Sequence, residues 1–293
     1  MKILVVGGGG FLGAEIVTNL IESGFEVKSL SRNVSSTLPC EQFIADIQNP
    51  DSYKNILSAW LPEVVIQAAW VTDQKIYRMS ALNSSYMNAT LKLAEHSYFL
   101  GTRHFITLGT SAEYGIPTEP CNSLITPVSP VDIYGRLKLQ TLDKLKEISE
   151  KFSSRLSWAR IFQAYGRNQD SARLIPFATR ELIAGRSVRV TNPDKILDWI
   201  SSRDIASALI YAINRPLNQI FDVGTAKPIS VIETLQTLAT LLNVDSQLLK
   251  IERNIFSAEE RVSVVVSKES PLFREKWSPQ DDLISGLNWT LSK

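Results

Sequence analysis

Hydrophobic residues in the first half of the chain fall into short runs that alternate with longer segments of helical periodicity. The short runs are rich in β-branched residues, which is typical of buried strands. Alternation of such strands with amphipathic helices predicts βαβ units and a parallel sheet covered on both faces. We place strands at Lys2–Gly7, Glu26–Ser31, Gln42–Ala45, Val64–Ala68, His104–Gly109 and Leu156–Phe162.

Two helices have clear apolar stripes. The first runs from about Phe11 to Ser23, carries apolar residues three and four positions apart, and stops at Gly24. The second runs from about Asp132 to Lys151 and has leucines at similar spacing. Both helices are expected to pack one face on the sheet.

A run of glycines joins the first strand to the first helix. The segment Gly7-Gly8-Gly9-Gly10-Phe11-Leu12-Gly13 satisfies the spacings GxGxxG and GxxGxxG. Glycines at these positions turn the chain tightly, let backbone N–H groups approach a pyrophosphate, and place a helix N-terminus beside the anion. The turn therefore predicts a dinucleotide site that includes Gly7, Gly10, Phe11, Leu12 and Gly13.

The choice of dinucleotide depends on the residues that follow the second strand. Sites for NAD carry an acidic residue there, which binds the ribose 2′-hydroxyl, whereas this chain has Ser31-Arg32-Asn33. Because an arginine can pair with a 2′-phosphate, Ser31 and Arg32 predict NADP(H) over NAD(H). After the third strand, Asp46 and Ile47 are expected at the adenine edge.

The apolar pattern loosens after Phe162, where prolines separate shorter elements. This change predicts an NADP-binding domain over residues 1–160 and a mainly substrate-binding lobe over residues 161–293, with a segment at about 195–227 that returns to the first domain. The expected fold class is α/β, a Rossmann-type doubly wound parallel sheet with a smaller α/β lobe. Ligands should bind at the carboxyl ends of the strands, between the lobes.

Composition narrows the classes of function. The 31 basic and 30 acidic residues give a formal net charge of +1, which argues against a nucleic-acid partner. No apolar run approaches the roughly 18 residues of a membrane helix, and the two cysteines have no CxxC spacing. We therefore expect a cytoplasmic protein without a metal, nucleic-acid or membrane ligand.

Candidate catalytic residues lie after the fifth strand. Thr110 and Ser111 stand at its end, and Tyr134 and Lys138 are four residues apart on the following helix, hence on one face. A lysine cation can lower the pKa of a nearby phenol, which lets the phenol exchange a proton with an alcohol or carbonyl. With a nicotinamide as hydride carrier, these residues predict a hydride-transfer site.

Several motifs, in the same order, resemble the extended short-chain dehydrogenase/reductase family of NAD(P)-dependent sugar-nucleotide epimerases, dehydratases and reductases. Residues 5–13 resemble its opening VTGGxGFIG, and residues 64–69 resemble VIHLAA, in which the backbone of Ala68 and Ala69 should line the cofactor. The other matches are residues 110–115 with SSxxxYG, 126–138 with TPxxPxxxYxxSK, 159–166 with LRxxNxYG, 198–206 with DFIxVxDVA and 221–224 with YNVG. The resemblance covers nearly the whole chain.

The resemblance implies a role for each catalytic candidate. It makes Tyr134 the acid/base and Lys138 the residue that activates it and binds the ribose. It makes Thr110 the hydroxyl of the triad, with Ser111 as an alternative. The implied partner is a nucleotide-diphosphate sugar.

Departures from the family patterns narrow the reaction. In the 4,6-dehydratases Asp-Glu directly follows the hydroxyl residue, whereas Ser111 and Ala112 stand here, so dehydration is disfavoured. Ala112 also replaces the cysteine by which bifunctional epimerase/reductases move a proton on carbon, and Arg32 replaces the acid usual in 4-epimerases of the UDP-galactose type. By elimination, we expect NADPH-dependent reduction of a 4-keto (deoxy)sugar nucleotide, with Tyr134 as proton donor.

Substrate contacts are less defined by the sequence. The arginine that usually precedes the DFI stretch is Leu197, and the asparagine of LRxxN is Gln163. A dianionic pyrophosphate needs cationic partners, so other arginines become candidates. The expected substrate-binding residues are Trp70, Gln163, Arg173, Phe177, Arg189 and Arg203, with Tyr77 as a further aromatic candidate.

Other functions stay open at this point. They are a sugar-nucleotide 4-epimerase with tightly bound NAD(P), a reductase of an aldehyde or plant-type ketone, and an NADP-binding sensor or scaffold without turnover. Family members often dimerise through the helix before the fifth strand, here about Ser84–Leu100, and the helix after the tyrosine. The apolar candidates for a homodimer interface, which suit a buried core equally well, are Leu91, Leu93, Leu137 and Leu145.

Overall fold

The computed structural model describes residues 1–215, 220–252 and 263–292. Parts of the predicted returning segment and of the predicted second lobe therefore lie outside the described residues. The strands are β1 (Lys2–Val6), β2 (Glu26–Ser31), β3 (Glu41–Ile44), β4 (Val64–Gln67), β5 (His104–Thr110), β6 (Arg155–Ile161), β7 (Gln163–Tyr165), β8 (Val188–Val190), β9 (Ile196–Leu197), β10 (Trp199–Ser201), β11 (Ile220–Val223), β12 (Ile229–Ser230) and β13 (Leu249–Ile251). The helices are α1 (Phe11–Glu22), α2 (Lys54–Trp60), α3 (Leu82–Phe99), α4 (Ile133–Lys151), α5 (Leu174–Ile183), α6 (Ser202–Asn214), α7 (Val231–Leu241), α8 (Pro271–Arg274) and α9 (Leu283–Leu291), and 3₁₀ turns lie at Pro50–Ser52, Ser111–Tyr114 and Ser246–Leu248.

Seven strands of the described residues form one parallel sheet, in the order β3-β2-β1-β4-β5-β6-β11. The chain moves outward from β1 to β3, returns to β4 beside β1, and then moves outward in the other direction. This is the doubly wound Rossmann order, whose switch point lies between β1 and β4. The predicted fold class is confirmed, and each of the six predicted strands is present.

Both faces of the sheet are buried, which explains why β1 reads as a continuous apolar run. Ile3 and Val5 point to the side covered by α1 and α6, and Leu4 and Val6 point to the side covered by α3 and α4. All four side chains are fully buried. The hydrophobic core therefore covers both faces of the sheet at β1, beside the switch point.

Helices α3 and α4 pack against each other on one face of the sheet. Leu93 and Leu145 on these helices are fully buried in the core of the chain itself. These two residues were candidates for a dimer interface or for the core, and the structure places them in the core; a homodimer stays a prediction. Leu91 and Leu137 are partly exposed.

The later elements gather into a smaller group beside the sheet. Helices α5 and α7 and strands β8 and β13 share a hydrophobic cluster that includes Leu182, Val188 and Leu235. Strand β11 instead pairs with β6 at the edge of the main sheet. None of the described helices is long and apolar enough to cross a bilayer.

Candidate active site

A cavity of about 800 Å³ opens at the carboxyl ends of the strands. Its walls come from the residues that follow β1, β2, β3, β4 and β5, together with α4 and the segment after β6. This is the crevice at the switch point, where ligands of doubly wound sheets bind. The volume is in the range of small-molecule and cofactor sites.

The glycine turn forms one wall of the cavity because its backbone needs the space that a side chain would fill. Gly7 has φ of +83°, and a Cβ there would lie 2.8 Å from the backbone nitrogen of Ala69. A Cβ on Gly13 would collide with the carbonyl of Gly7. These two glycines thus let β1, the start of α1 and the end of β4 approach one another closely.

The N-terminus of α1 faces the cavity without a side-chain cap. Its N-cap is Gly10, which offers no acceptor, and Phe11, Leu12 and Gly13 line the cavity. Uncapped N–H groups in the first turn can bind an anion such as a pyrophosphate. Nearby, the hydroxyl of Ser31 accepts a hydrogen bond of 3.0 Å from the N–H of Gly9, which links the turn to the end of β2.

Arg32 is exposed and lines the cavity just beyond β2. Asp46 also lines it, although its carboxylate accepts a hydrogen bond of 2.9 Å from the N–H of Gln48 and so shapes its own turn. The structure brings all of the predicted cofactor residues to one cavity: Gly7, Gly10, Phe11, Leu12, Gly13, Ser31, Arg32, Asp46, Ile47, Ala68, Ala69, Tyr134 and Lys138. These residues fit a dinucleotide, since the turn leaves room for a pyrophosphate and supplies N–H donors.

The four catalytic candidates meet in the middle of the cavity. Thr110 ends β5 and Ser111 begins the 3₁₀ turn that follows, whereas Tyr134 and Lys138 lie one turn apart on α4. The side chains of Tyr134 and Thr110 both line the cavity, and the Thr110 hydroxyl acts to lower the pKa of the phenol. The Nζ of Lys138 donates a hydrogen bond of 2.7 Å to the carbonyl of Leu108 and lies 6.0 Å from the centre of the Tyr134 ring.

Burial dominates the titration of this pair. It raises the pKa of the Tyr134 phenol above its ordinary value, against the opposing effect of the nearby Thr110 hydroxyl. Burial also lowers the pKa of Lys138 to about 7, against the attraction of Glu113. The sequence predicted a lysine that lowers the tyrosine pKa. The structure differs, because the lysine ammonium is directed at the Leu108 carbonyl rather than at the phenol.

Glu113, close to the catalytic hydroxyls in sequence, turns away from the cavity. Its side chain is fully buried and accepts hydrogen bonds from Arg160 Nε at 2.7 Å, Trp158 Nε1 at 3.0 Å and the N–H of Thr110 at 2.8 Å. This carboxylate fixes the end of β5 and the 3₁₀ turn behind Thr110. The arginine retained from the LRxxN pattern is thus a structural partner of Glu113.

A second buried carboxylate extends this network. Asp222 on β11 accepts hydrogen bonds from the hydroxyl of Tyr114 at 2.6 Å and the N–H of Ser123 at 2.7 Å. Arg160 in turn donates to the Tyr114 hydroxyl at 3.1 Å. Burial raises the pKa of Asp222 to about 6. The 3₁₀ turn Ser111–Tyr114 is therefore bound to the edge strand β11 through these hydrogen bonds.

Of the substrate candidates, Trp70, Gln163 and Arg173 line the cavity, and so does Tyr77. Three others lie elsewhere and do not line it: Phe177, Arg189 and Arg203. Arg189 pairs with Glu252 at 2.6 Å, and Arg203 pairs with Asp281 at 2.5 Å. These ion pairs hold the two guanidinium groups away from the cavity.

Two cationic residues of the cavity wall were missed by the sequence analysis. Lys195 stands two residues before Leu197, and Arg78 precedes α3 and pairs with Asp132 at 2.7 Å. The position of Lys195 beside the missing arginine was a usable signal, whereas the loop that carries Arg78 matches no motif. Among the described residues, no cluster of His, Cys, Asp and Glu suits a metal ion.

Comparison with known proteins decides the family. The sequence-family model of the NAD dependent epimerase/dehydratase family matches residues 3–224 of this chain. The chain belongs to this family. Its dinucleotide turn, parallel sheet and Tyr134/Lys138 pair all lie within the matched part.

Individual relatives of the family match almost end to end. The UDP-glucose 4-epimerase of Streptococcus mutans is 24% identical, over 98% of this chain and 94% of the relative. The dTDP-6-deoxy-L-talose 4-dehydrogenase (NAD(P)(+)) of Kitasatospora kifunensis is 23% identical, over 99% of this chain and 95% of the relative. A crystal structure of the Thermus thermophilus UDP-glucose 4-epimerase with NAD has a TM-score of 0.88 at 20% identity, over 99% and 97% of the two chains, and at that identity it shows a shared fold.

Proposed function

We propose that this family member is a 4-epimerase of a nucleotide-diphosphate sugar. The observation that carries the proposal is that Thr110, Tyr134 and Lys138 line the same cavity as the dinucleotide turn. Its similar curated relatives are mainly sugar-nucleotide 4-epimerases. They support the epimerase, an alternative in the sequence analysis, over the 4-ketoreductase expected there.

Chemistry at C4 needs only the groups found in the cavity. A bound nicotinamide dinucleotide supplies the hydride acceptor and donor. In its deprotonated form Tyr134 takes the proton of the sugar hydroxyl as the carbon is oxidised, and the phenol so formed returns this proton as the carbonyl is reduced. The Thr110 hydroxyl holds the reacting oxygen, and Lys138 places positive charge beside it.

The side chains around Thr110 favour redox chemistry over elimination. Elimination needs a base for the proton at C5 and an acid for the hydroxyl at C6, and the two residues after Thr110 are Ser111 and Ala112. Glu113 is held by Arg160 and Trp158, outside the cavity wall. Dehydration is therefore the least supported reaction of the family for this chain.

Arg32 supports NADP as the preferred dinucleotide. The turn after β2 contains no carboxylate for a ribose 2′-hydroxyl, and the exposed guanidinium lies at the cavity. We expect Arg32→Asp to lower the affinity for NADP relative to NAD by about 10–100-fold, since a charge-assisted hydrogen bond is worth about 1.5–3 kcal/mol. Titration of wild type and variant with each dinucleotide measures the ratio. An unchanged ratio would remove the support for NADP.

A 4-ketoreductase is the second candidate, and Arg32 is the observation that favours it. A reductase draws on the cellular NADPH pool, whereas an epimerase regenerates its dinucleotide in each cycle. One relative, the Kitasatospora enzyme, is a 4-dehydrogenase that uses NAD(P). The same triad serves either reaction, so the substrate must discriminate between them.

The test is a panel of UDP- and dTDP-linked hexoses and their 4-keto forms, each with NAD or NADP. The proposal predicts that one hexose is converted to its C4 epimer, identified by chromatography, with no net change in reduced nicotinamide. Stoichiometric loss of NADPH with a 4-keto sugar, without epimer formation, would establish the reductase instead. Dinucleotide binding with no turnover on any substrate would favour a sensor or scaffold.

A further inference from the structure

Trp70 contacts the catalytic lysine directly. It follows β4 by three residues, is 9% exposed and lines the cavity. The Nζ of Lys138 lies 3.7 Å from the centre of its ring. An ammonium within about 6 Å of an indole face is attracted by the electron-rich ring, so this is a cation–π contact at close range.

Few other groups close to Lys138 stabilise its positive charge, so the contact with the indole contributes a large share. Its ammonium donates to the Leu108 carbonyl at 2.7 Å, and the ion pairs of the described residues do not include it. The carboxylate that acts on it, Glu113, is itself bound to Arg160 and Trp158. The rings of Tyr134 and Trp158 each lie 6.0 Å from the ammonium, so the face of Trp70, at 3.7 Å, is the nearest aromatic neighbour.

The indole is fixed in position by Asn83, a fully buried residue of α3. Trp70 Nε1 donates to Asn83 Oδ1 at 2.7 Å, and Asn83 Nδ2 donates to the carbonyls of Tyr77 at 2.6 Å and Ser80 at 2.9 Å. A buried amide with these three bonds has one orientation. The plane of the indole, and hence the face presented to the ammonium, follows from it.

We propose that Trp70 is a positioning residue for Lys138: its indole face holds the ammonium against the Leu108 carbonyl, and Asn83 fixes the indole. The sequence analysis considered Trp70 as a substrate contact, whereas its packing directs it at the lysine. That this positioning matters for catalysis rests on the proposed function. The effect of Trp70 on the position and pKa of Lys138 does not depend on that function.

Other charged and titratable groups face the same region. Tyr134 lies on the same helix as Lys138, Glu113 and Arg160 form their buried pair behind Thr110, and Arg173 and Tyr77 line the cavity near the phenol. Burial already lowers the pKa of Lys138 to about 7. Because the ring stabilises the charged form, its removal should lower that pKa further.

The test is a pH titration of the full chain, labelled with ¹³C at the lysine Cε, with the Lys138 signal assigned by its absence in Lys138→Met. The wild-type midpoint is expected near 7. Trp70→Leu should lower it by roughly one pH unit, and Trp70→Phe, which keeps a smaller aromatic face, should lower it less. Trp60→Phe is the matched control, since Trp60 also has a lysine over its ring, Lys28 at 5.3 Å, and does not line the cavity.

Equal midpoints in wild type and both Trp70 variants would overturn the proposal and leave Trp70 as a core residue. If Trp70→Leu does not fold, Trp70→Phe decides alone. Because the titration needs no substrate, a shifted midpoint in a protein without turnover would support the role of Trp70 while contradicting the proposed function. Turnover with unshifted midpoints would support the proposed function while contradicting the role of Trp70.

Discussion

Tyr134→Phe is expected to lower kcat by about 10²–10⁴-fold, the usual contribution of a positioned acid/base group. The substitution removes the phenol oxygen and keeps the ring, whose neighbour Tyr77 lies at 5.1 Å edge to face. The lost group is the one that takes the proton of the sugar hydroxyl and returns it to the carbonyl oxygen. Steady-state kinetics should show the loss in kcat, and dinucleotide titration should show little change.

Tyr98→Phe is the matched control for this substitution. Tyr98 is a buried tyrosine whose hydroxyl donates to the carbonyl of Arg155 at 2.8 Å, and it lies outside the cavity. We expect kcat close to wild type there. Similar losses of kcat in both variants would show that the Tyr134 effect is structural and would argue against its catalytic role.

Arg160→Met should lower the free energy of unfolding by about 3–5 kcal/mol, because it leaves a buried charge without its partner. Both side chains of the pair are almost fully buried, at 3% and 0% exposure, and their contact is 2.7 Å. Urea-induced unfolding measures the change. A loss this large is on the order of 10 °C in Tm.

Two further variants separate the ion pair from packing. Adding Glu113→Gln to Arg160→Met should restore part of the loss, since the amide oxygen is neutral and can still accept from Trp158 or Thr110. Arg189→Met breaks an exposed pair with Glu252 and should change stability little. If Arg160→Met were no more damaging than Arg189→Met, the buried pair would not be stabilising the loop.

The fold and the dinucleotide wall could be predicted because their signals are local. The glycine turn places Gly7, Gly10 and Gly13 within one strand–helix junction, so spacing alone determines that they meet. The strands of a sheet buried on both faces are continuous apolar runs, which mark their own positions. Tyr134 and Lys138 share a helix face for the same local reason.

The substrate wall could not be predicted, because it depends on contacts between distant residues. Whether an arginine faces the cavity is decided by its partner. Arg189 pairs with a carboxylate 63 residues later, and Arg203 with one 78 residues later. The sequence close to each arginine does not indicate which carboxylate it pairs with. Glu113 posed the same difficulty, since the residues that hold it, Trp158 and Arg160, lie on another strand.

The reaction itself was underdetermined by the catalytic residues. Epimerisation at C4 and reduction of a 4-keto sugar both need the hydroxyl, the phenol and the lysine. The sequence analysis therefore relied on Arg32 to prefer the reductase over the UDP-galactose type of 4-epimerase. That residue bears on the dinucleotide rather than on the fate of the sugar. The relatives that match this chain are mainly 4-epimerases, and the proposed epimerisation therefore rests on them rather than on the cavity residues.

Deuterium at C4 of the sugar tests the central claim, that hydride leaves and returns to that carbon while Tyr134 moves the proton. With the hexose converted in the panel, labelled at C4, we predict that the epimeric product retains the deuterium and that turnover slows by a primary isotope effect. Tyr134→Phe should abolish most of this conversion. Exchange of the label with water, or full-rate conversion by Tyr134→Phe, would contradict hydride transfer at this site.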